Sequence, residues 1–140
     1  MAEEWRQLAN GIAESNRALG EIAGESISSF NNGDFLSALS CLFVLVEESL
    51  KYAVGDIGTS KGMFQLAETA LDSRIVLPDE WSLLDRLREY RNAIFHGELH
   101  STAMIKDGLA WPLDEPANRK ELYEAYATRT FRLILKLLSS

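Results

Sequence analysis

The stretch Leu84-Asp85-Arg86-Leu87-Arg88-Glu89-Tyr90-Arg91-Asn92-Ala93-Ile94-Phe95-His96-Gly97 reads as an amphipathic helix with a stop behind it. Leu84, Leu87 and Ile94, with Phe95 at the edge, recur at helical steps and predict the inward face. Gly97 supplies the C-terminal stop, so the helix is expected to end at or just beyond His96. Arg91 stands four residues after Leu87 and three before Ile94, inside that apolar stripe, where an unpaired charge is very costly. Arg88, Asn92 and His96 follow one another at i, i+4 and share a neighbouring face. One helix end thus receives an arginine, an amide and an imidazole.

Four further helical segments flank this one. The first is expected over about 2–30, with Trp5, Leu8, Ile12, Leu19 and Ile22 at helical spacing. Gly11, Gly20 and Gly24 weaken it and place a break near 20–24. Asn31-Asn32-Gly33 is a turn, and Asp34 is a good N-cap for the most hydrophobic helix, about 34–54, stopped by Gly55. Glu47 and Glu48 lie near its far end. A shorter helix starts near Ser60 and carries Met63, Phe64, Leu66, Ala67 and Leu71. Leu77-Pro78-Asp79 then separates it from the Arg91 helix, which is read as starting at Glu80 with Asp79 as cap. Residues 98–116, with Gly108, Pro112 and Pro116, read as a loop with room for a short hairpin. The last helix is read from Asn118, where Asn118-x-x-Glu121 resembles a capping box, to Leu138. Short connections between long amphipathic helices predict an all-α fold, an antiparallel helical bundle of four to five helices forming a single domain over 1–140.

Composition narrows the function classes. The chain has 140 residues, 46% hydrophobic and 25% charged, which suits one packed core and not a disordered chain. Its longest apolar run, Cys41 to Val46, is too short to span a bilayer, and the opening Met1-Ala2-Glu3-Glu4-Trp5 lacks a signal-peptide core. A lone cysteine excludes a disulfide framework and suits a buried thiol. These features predict a cytoplasmic protein with no membrane partner. A net charge of -7 argues against nonspecific binding along nucleic acid. The charge is uneven, however: residues 1–34 hold six acids and two bases, while 117–140 hold five bases and two acids. Arg129, Arg132 and Lys136 make a basic stripe on the last helix, either a solvated face or, beside Arg88 and Arg91, an RNA-binding track.

Residue chemistry leaves two readings of the Arg91 helix. In one, Arg91 pairs with a structural carboxylate, Glu47 or Glu48, and His96 merely caps the helix. In the other, the arginine holds a phosphate bidentately and the imidazole shuttles a proton. RNA cleavage needs those roles: a base for the 2'-hydroxyl, an acid for the 5'-oxygen and a cation for the phosphorane.

The string Arg91-Asn92-Ala93-Ile94-Phe95-His96 resembles the Arg-x4-His motif of HEPN domains, with the favoured polar residue directly after the arginine. The apolar helix ending in acids, the short helix, the Pro-Asp start and the Arg-Asn...His-Gly helix also follow HEPN order. The resemblance covers most of 34–97 and, more loosely, the final helix. It implies a metal-independent endoribonuclease without cofactor, often a toxin or antiviral effector, acting as a homodimer with a composite site at the interface. On that pattern Arg91 stabilises the scissile phosphate, His96 acts as acid or base, Asn92 orients one of them, and the product carries a 2',3'-cyclic phosphate. Glu47, Glu48 and Arg88 are supporting residues; an antitoxin or regulatory protein is an implied partner. Toxins of this family silenced by a nucleotidyltransferase often have a tyrosine two residues after the histidine, where this chain has Glu98. Some relatives keep the fold without cleaving RNA, so a non-catalytic interaction or nucleotide-binding subunit is the second expectation.

Other constellations carry less. His96 and His100 have a metal-ligand spacing, but Gly97 breaks the helix between them and no cysteine or aspartate trio accompanies them. Phosphate-binding glycine loops are absent. Trp81 and Trp111 are expected to pack or anchor a loop, and Cys41 to be core.

Overall fold

A computed structural model describes residues 2–56 and 61–139. The described residues form six α-helices: α1 (Ala2–Ser15), α2 (Arg17–Asn31), α3 (Phe35–Val54), α4 (Met63–Asp72), α5 (Pro78–Phe95) and α6 (Pro116–Leu138). Between α5 and α6 lie a 3-10 turn (Leu99–Ser101) and an antiparallel hairpin of β1 (Ala103–Lys106) and β2 (Leu109–Pro112). The class is all-α, as the periodicity predicts. No helix among the described residues is long and apolar enough to cross a membrane.

The central helix follows its sequence signals. Asp34 caps α3 by accepting from the Ser37 amide, and Gly55 ends it in the left-handed conformation, φ 78°. The break between the first two helices falls at Asn16 and not at the glycines. Asn16 is extended, and its side chain accepts from the Leu19 amide, so it caps a new helix. Gly20 serves contact instead: a Cβ there would lie 2.4 Å from Ala13 Cα, so its absence lets α1 and α2 approach. The start near Ser60 expected for the short third segment lies outside the described residues.

Two other starts also differ. α5 begins at Pro78, with Leu77 as N-cap and the Glu80 carboxylate accepting from the Leu77 amide at 2.7 Å. Proline at the first helical position needs no amide partner, so Asp79 is not required as a cap. α6 likewise begins at Pro116, and Asn118 is no cap: its side-chain amide donates to the Pro112 carbonyl, tying the helix to the hairpin.

Consecutive long helices run antiparallel, and α6 closes the bundle parallel to α1. The latter follows from Trp5 meeting Thr128 and Gly11 meeting Leu135. Trp5, Phe30 and Tyr123 stack edge and face at 4.7–5.2 Å to join α1, α2 and α6. Beneath them the Tyr123 hydroxyl meets Ser26 Oγ at 2.9 Å, and Ser26 donates to the Ala38 carbonyl at 2.8 Å. A fully buried serine and phenol thus satisfy each other. α4 and α5 pack on α3, while Met104 and Leu113 anchor the hairpin in the same core.

Candidate functional site

The buried face of α5 is Leu84, Leu87, Tyr90 and Ala93. This set is turned by one residue from the expected Leu84, Leu87, Ile94 stripe near the helix end. Ile94 is only partly buried, Phe95 is 41% exposed, and Arg91 stands at the edge of the stripe and not within it. Tyr90 decides the rotation, because its ring meets Tyr126 of α6 edge-on at 5.6 Å. Arg91 is thereby turned toward α3.

There Arg91 finds Glu47. Its Nη2 donates to Glu47 Oε2 at 3.2 Å, with both side chains about a fifth exposed. Nη1 donates to Asn92 Oδ1 at 3.3 Å, and the guanidinium carbon lies 5.0 Å over the Phe95 ring. Nε is buried without a hydrogen-bond partner. Of the two candidate carboxylates, only Glu47 supports Arg91. Glu48, one residue further round α3, is turned toward Lys51, which donates to it at 3.1 Å. The structure therefore contains the ion pair that the plainer reading of Arg91 requires.

His96 ends α5 as its C-cap, with its backbone amide donating to the Asn92 carbonyl at 2.9 Å and its side chain exposed. Gly97 follows at φ 72°, a left-handed position that stops the helix. Arg88 is one turn back. It is held by Asp85 at 2.9 Å and lies 5.3 Å over the Phe64 ring of α4. The result is a surface where two arginines, each neutralised by a carboxylate, each cover one face of an exposed phenylalanine. Sequence reasoning missed Phe64, Phe95 and Asp85 as parts of this surface. The spacings Arg91-x3-Phe95 and Asp85-x2-Arg88 carry the signal for two of them.

The basic stripe does not join this site. Arg132 pairs with Glu4, and Lys136 donates to Glu80 at the opposite end of α5. At 1.5 Å per residue, Glu80 lies about 24 Å along the helix from His96. Arg129 lies 4.7 Å over the Tyr126 ring and donates to its own helix at the Ala125 carbonyl. A track running from the stripe past Arg88 and Arg91 is not formed within one chain. Arg88 and Arg91 instead meet α4 and α3, through Phe64 and Glu47.

Cys41 is partly buried, not fully. Burial first, then Glu25 and Asp34, push its thiol up, which disfavours the thiolate. Trp81 is partly buried against the core, and the Trp111 indole donates to the Lys106 carbonyl within the hairpin. Among the described residues no group of three or more His, Cys, Asp or Glu side chains is placed to hold a metal ion. In comparisons with family models, curated proteins and solved structures, none matched this chain.

Proposed function

We propose that this chain is a metal-independent endoribonuclease of the HEPN kind, acting as a toxin or antiviral effector. The observation that carries the reading is that Arg91, Asn92 and His96 all stand on the last turn and cap of α5, with Asn92 accepting from Arg91 and Glu47 fixing the guanidinium from α3. In the reaction, a base removes the 2'-hydroxyl proton and the 2'-oxygen forms a bond to phosphorus. The bond from phosphorus to the 5'-oxygen breaks as an acid protonates the leaving oxygen, giving a 2',3'-cyclic phosphate and a 5'-hydroxyl. His96 is the proton-carrying group, Arg91 the cation on the phosphorane, and Asn92 the residue that orients Arg91.

One imidazole cannot serve as acid and base at once, so two chains are needed for a full site. Exposed Val44, Phe64 and Phe95 around the arginines give a second copy an apolar surface to cover. RNA is the substrate, and an antitoxin or other regulatory protein is the expected partner. The chain's own acidity restricts RNA contact to such a local site.

A second reading has an observation of its own. Arg91 is already paired with Glu47, and a neutralised guanidinium is poorer at holding a phosphate. On that reading the bundle is a non-catalytic interaction subunit. Incubating wild type and His96→Ala with tRNA and mRNA in EDTA separates the two. Cleavage by wild type alone is expected; equal cleavage, or none across several RNAs, discards the nuclease. Sedimentation of the wild type tests the pairing of chains, because a monomer at high concentration contradicts a shared site.

A further inference from the structure

A groove of about 370 Å³ runs between α1 and α2. Its floor is Ala9, Gly20 and Ile27, all buried, and none of the residues lining it is acidic. One wall carries Arg6, Asn10 and Ala13 along α1; the other carries Gly24, Ser28 and Asn31 along α2, with Asn32 at its end. Gly20 meets Ala13 and Phe30 meets Trp5, so the two helices are antiparallel. Arg6 therefore stands at the Asn31 end and Ala13 at the Gly20 end. From Arg6 to Ala13 the groove runs about 10 Å, at ~1.5 Å of helix rise per residue.

Gly20 is explained by packing, since a Cβ there would lie 2.4 Å from Ala13 Cα. Gly24, one turn further along the same groove, is not: a Cβ there meets nothing within 4 Å. A glycine inside a helix costs stability against alanine, and no close contact offsets that cost here. What the missing side chain does is leave the groove open. The rim is the second observation. Among the described residues the side chains of Arg6, Asn10, Ser28, Asn31 and Asn32 form no hydrogen bond or ion pair. One cation, three carboxamides and a hydroxyl thus border an apolar floor, all of them without a partner in the fold.

We propose that the α1–α2 groove binds the carboxyl-terminal end of a peptide, with the terminal carboxylate on Arg6 and the chain running back toward Gly24 and Gly20. The guanidinium fork matches the two oxygens of a carboxylate. A single cation beside the C-terminal end of α2, where the helix dipole is negative, suits a monoanion better than a phosphate dianion. Each carboxamide offers both a donor and an acceptor, the pair that a peptide bond requires. At about 3.3 Å per extended residue, the groove takes three residues. Where the wall is Ala13, Gly20 and Gly24, the missing side chains leave room for those of the peptide. The same chemistry is offered by a free short peptide and by the tail of a partner protein. The site involves neither α5 nor the Arg91–Glu47 pair and does not rest on the ribonuclease reading.

The test titrates the full chain with N-acetyl-Gly-Ala-Ala, with its C-terminal amide and with inorganic phosphate, following the backbone and side-chain amide signals by NMR. Expected are saturable shifts at Arg6, Asn10 and Asn31 with the free acid, and binding at least tenfold weaker with the amide. Arg6→Gln, an exposed change, should weaken the acid at least tenfold and leave the amide unaffected. Gly24→Leu should abolish binding by filling the groove, with thermal melting showing the variant folded; Gly24→Ala should weaken binding in a helix that is more stable. Binding of the same three residues at the end of a carrier protein upholds the site and assigns it to a partner's tail. Binding of the free peptide alone upholds it and assigns it to a small ligand. The proposal is overturned if the acid does not saturate, if acid and amide bind equally, or if phosphate binds as well as the acid. Wild-type affinity in Arg6→Gln, or in both Gly24 variants, overturns it as well.

Discussion

Removing the carboxylate that holds Arg91 should cost stability in a way that depends on Arg91 itself. The two groups are 3.2 Å apart, with side chains 24% and 17% exposed. At an effective dielectric near 20, the Coulomb attraction at that distance is about 5 kcal/mol. Partial desolvation and screening return most of this. The net coupling should fall between an exposed pair and a buried one, at about 1–2 kcal/mol. A double-mutant cycle of Glu47→Gln, Arg91→Gln and the combined variant, read by urea denaturation, measures it directly. Glu47→Gln keeps the shape of the side chain, so packing changes little and the cycle isolates the charge. The coupling should shrink only modestly at ~0.5 M salt, because both groups are largely shielded from solvent. A coupling below about 0.3 kcal/mol, within ordinary additivity error, would show that Glu47 does not hold the guanidinium.

Further outcomes follow from the core. Gly20→Ala should destabilise by about 2–3 kcal/mol, since its Cβ would fall 2.4 Å from Ala13 backbone. Gly24→Ala on the same helix meets nothing within 4 Å and should stabilise by about 0.5–1 kcal/mol. Equal effects in thermal melts would refute the close α1–α2 approach. Tyr123→Phe removes the hydroxyl that meets Ser26 and should cost about 1 kcal/mol near neutral pH. Burial, as the largest cause, pushes the Tyr123 phenol from 10.0 up to about 12. The unfolded chain therefore releases this proton first, so the stability it supplies is complete below pH 10 and is lost as pH rises to about 12. Urea midpoints between these pH values should fall less steeply for Tyr123→Phe than for wild type; identical slopes would contradict the buried phenol.

Much of this architecture is legible in the residues because local signals decide it. Asp34 and Gly55 bracket α3, and Gly97 ends α5, through backbone chemistry that needs no tertiary partner. The break at Asn16 is also a local signal, because its side chain caps the Leu19 amide. Gly20 reads locally as a helix weakness, whereas its role is contact with Ala13, a fact of packing. The one-residue turn of the α5 face was not legible, because Tyr126, thirty-six positions after Tyr90, selects Tyr90 as the buried side chain. That same turn brings Arg91 to Glu47, so the choice between Glu47 and Glu48 depended on it. The basic stripe was legible as a stripe. Its neutralisation by Glu4 and Glu80 was not, since both partners come from other helices.

The chemistry assigned to Arg91 and His96 is tested most directly by the ends it leaves on RNA. Mass spectrometry of fragments formed in EDTA should find 2',3'-cyclic phosphate ends with wild type and no such fragments with His96→Ala. Fragments ending in a 3'-hydroxyl, or cyclic ends formed equally by both proteins, would contradict the account.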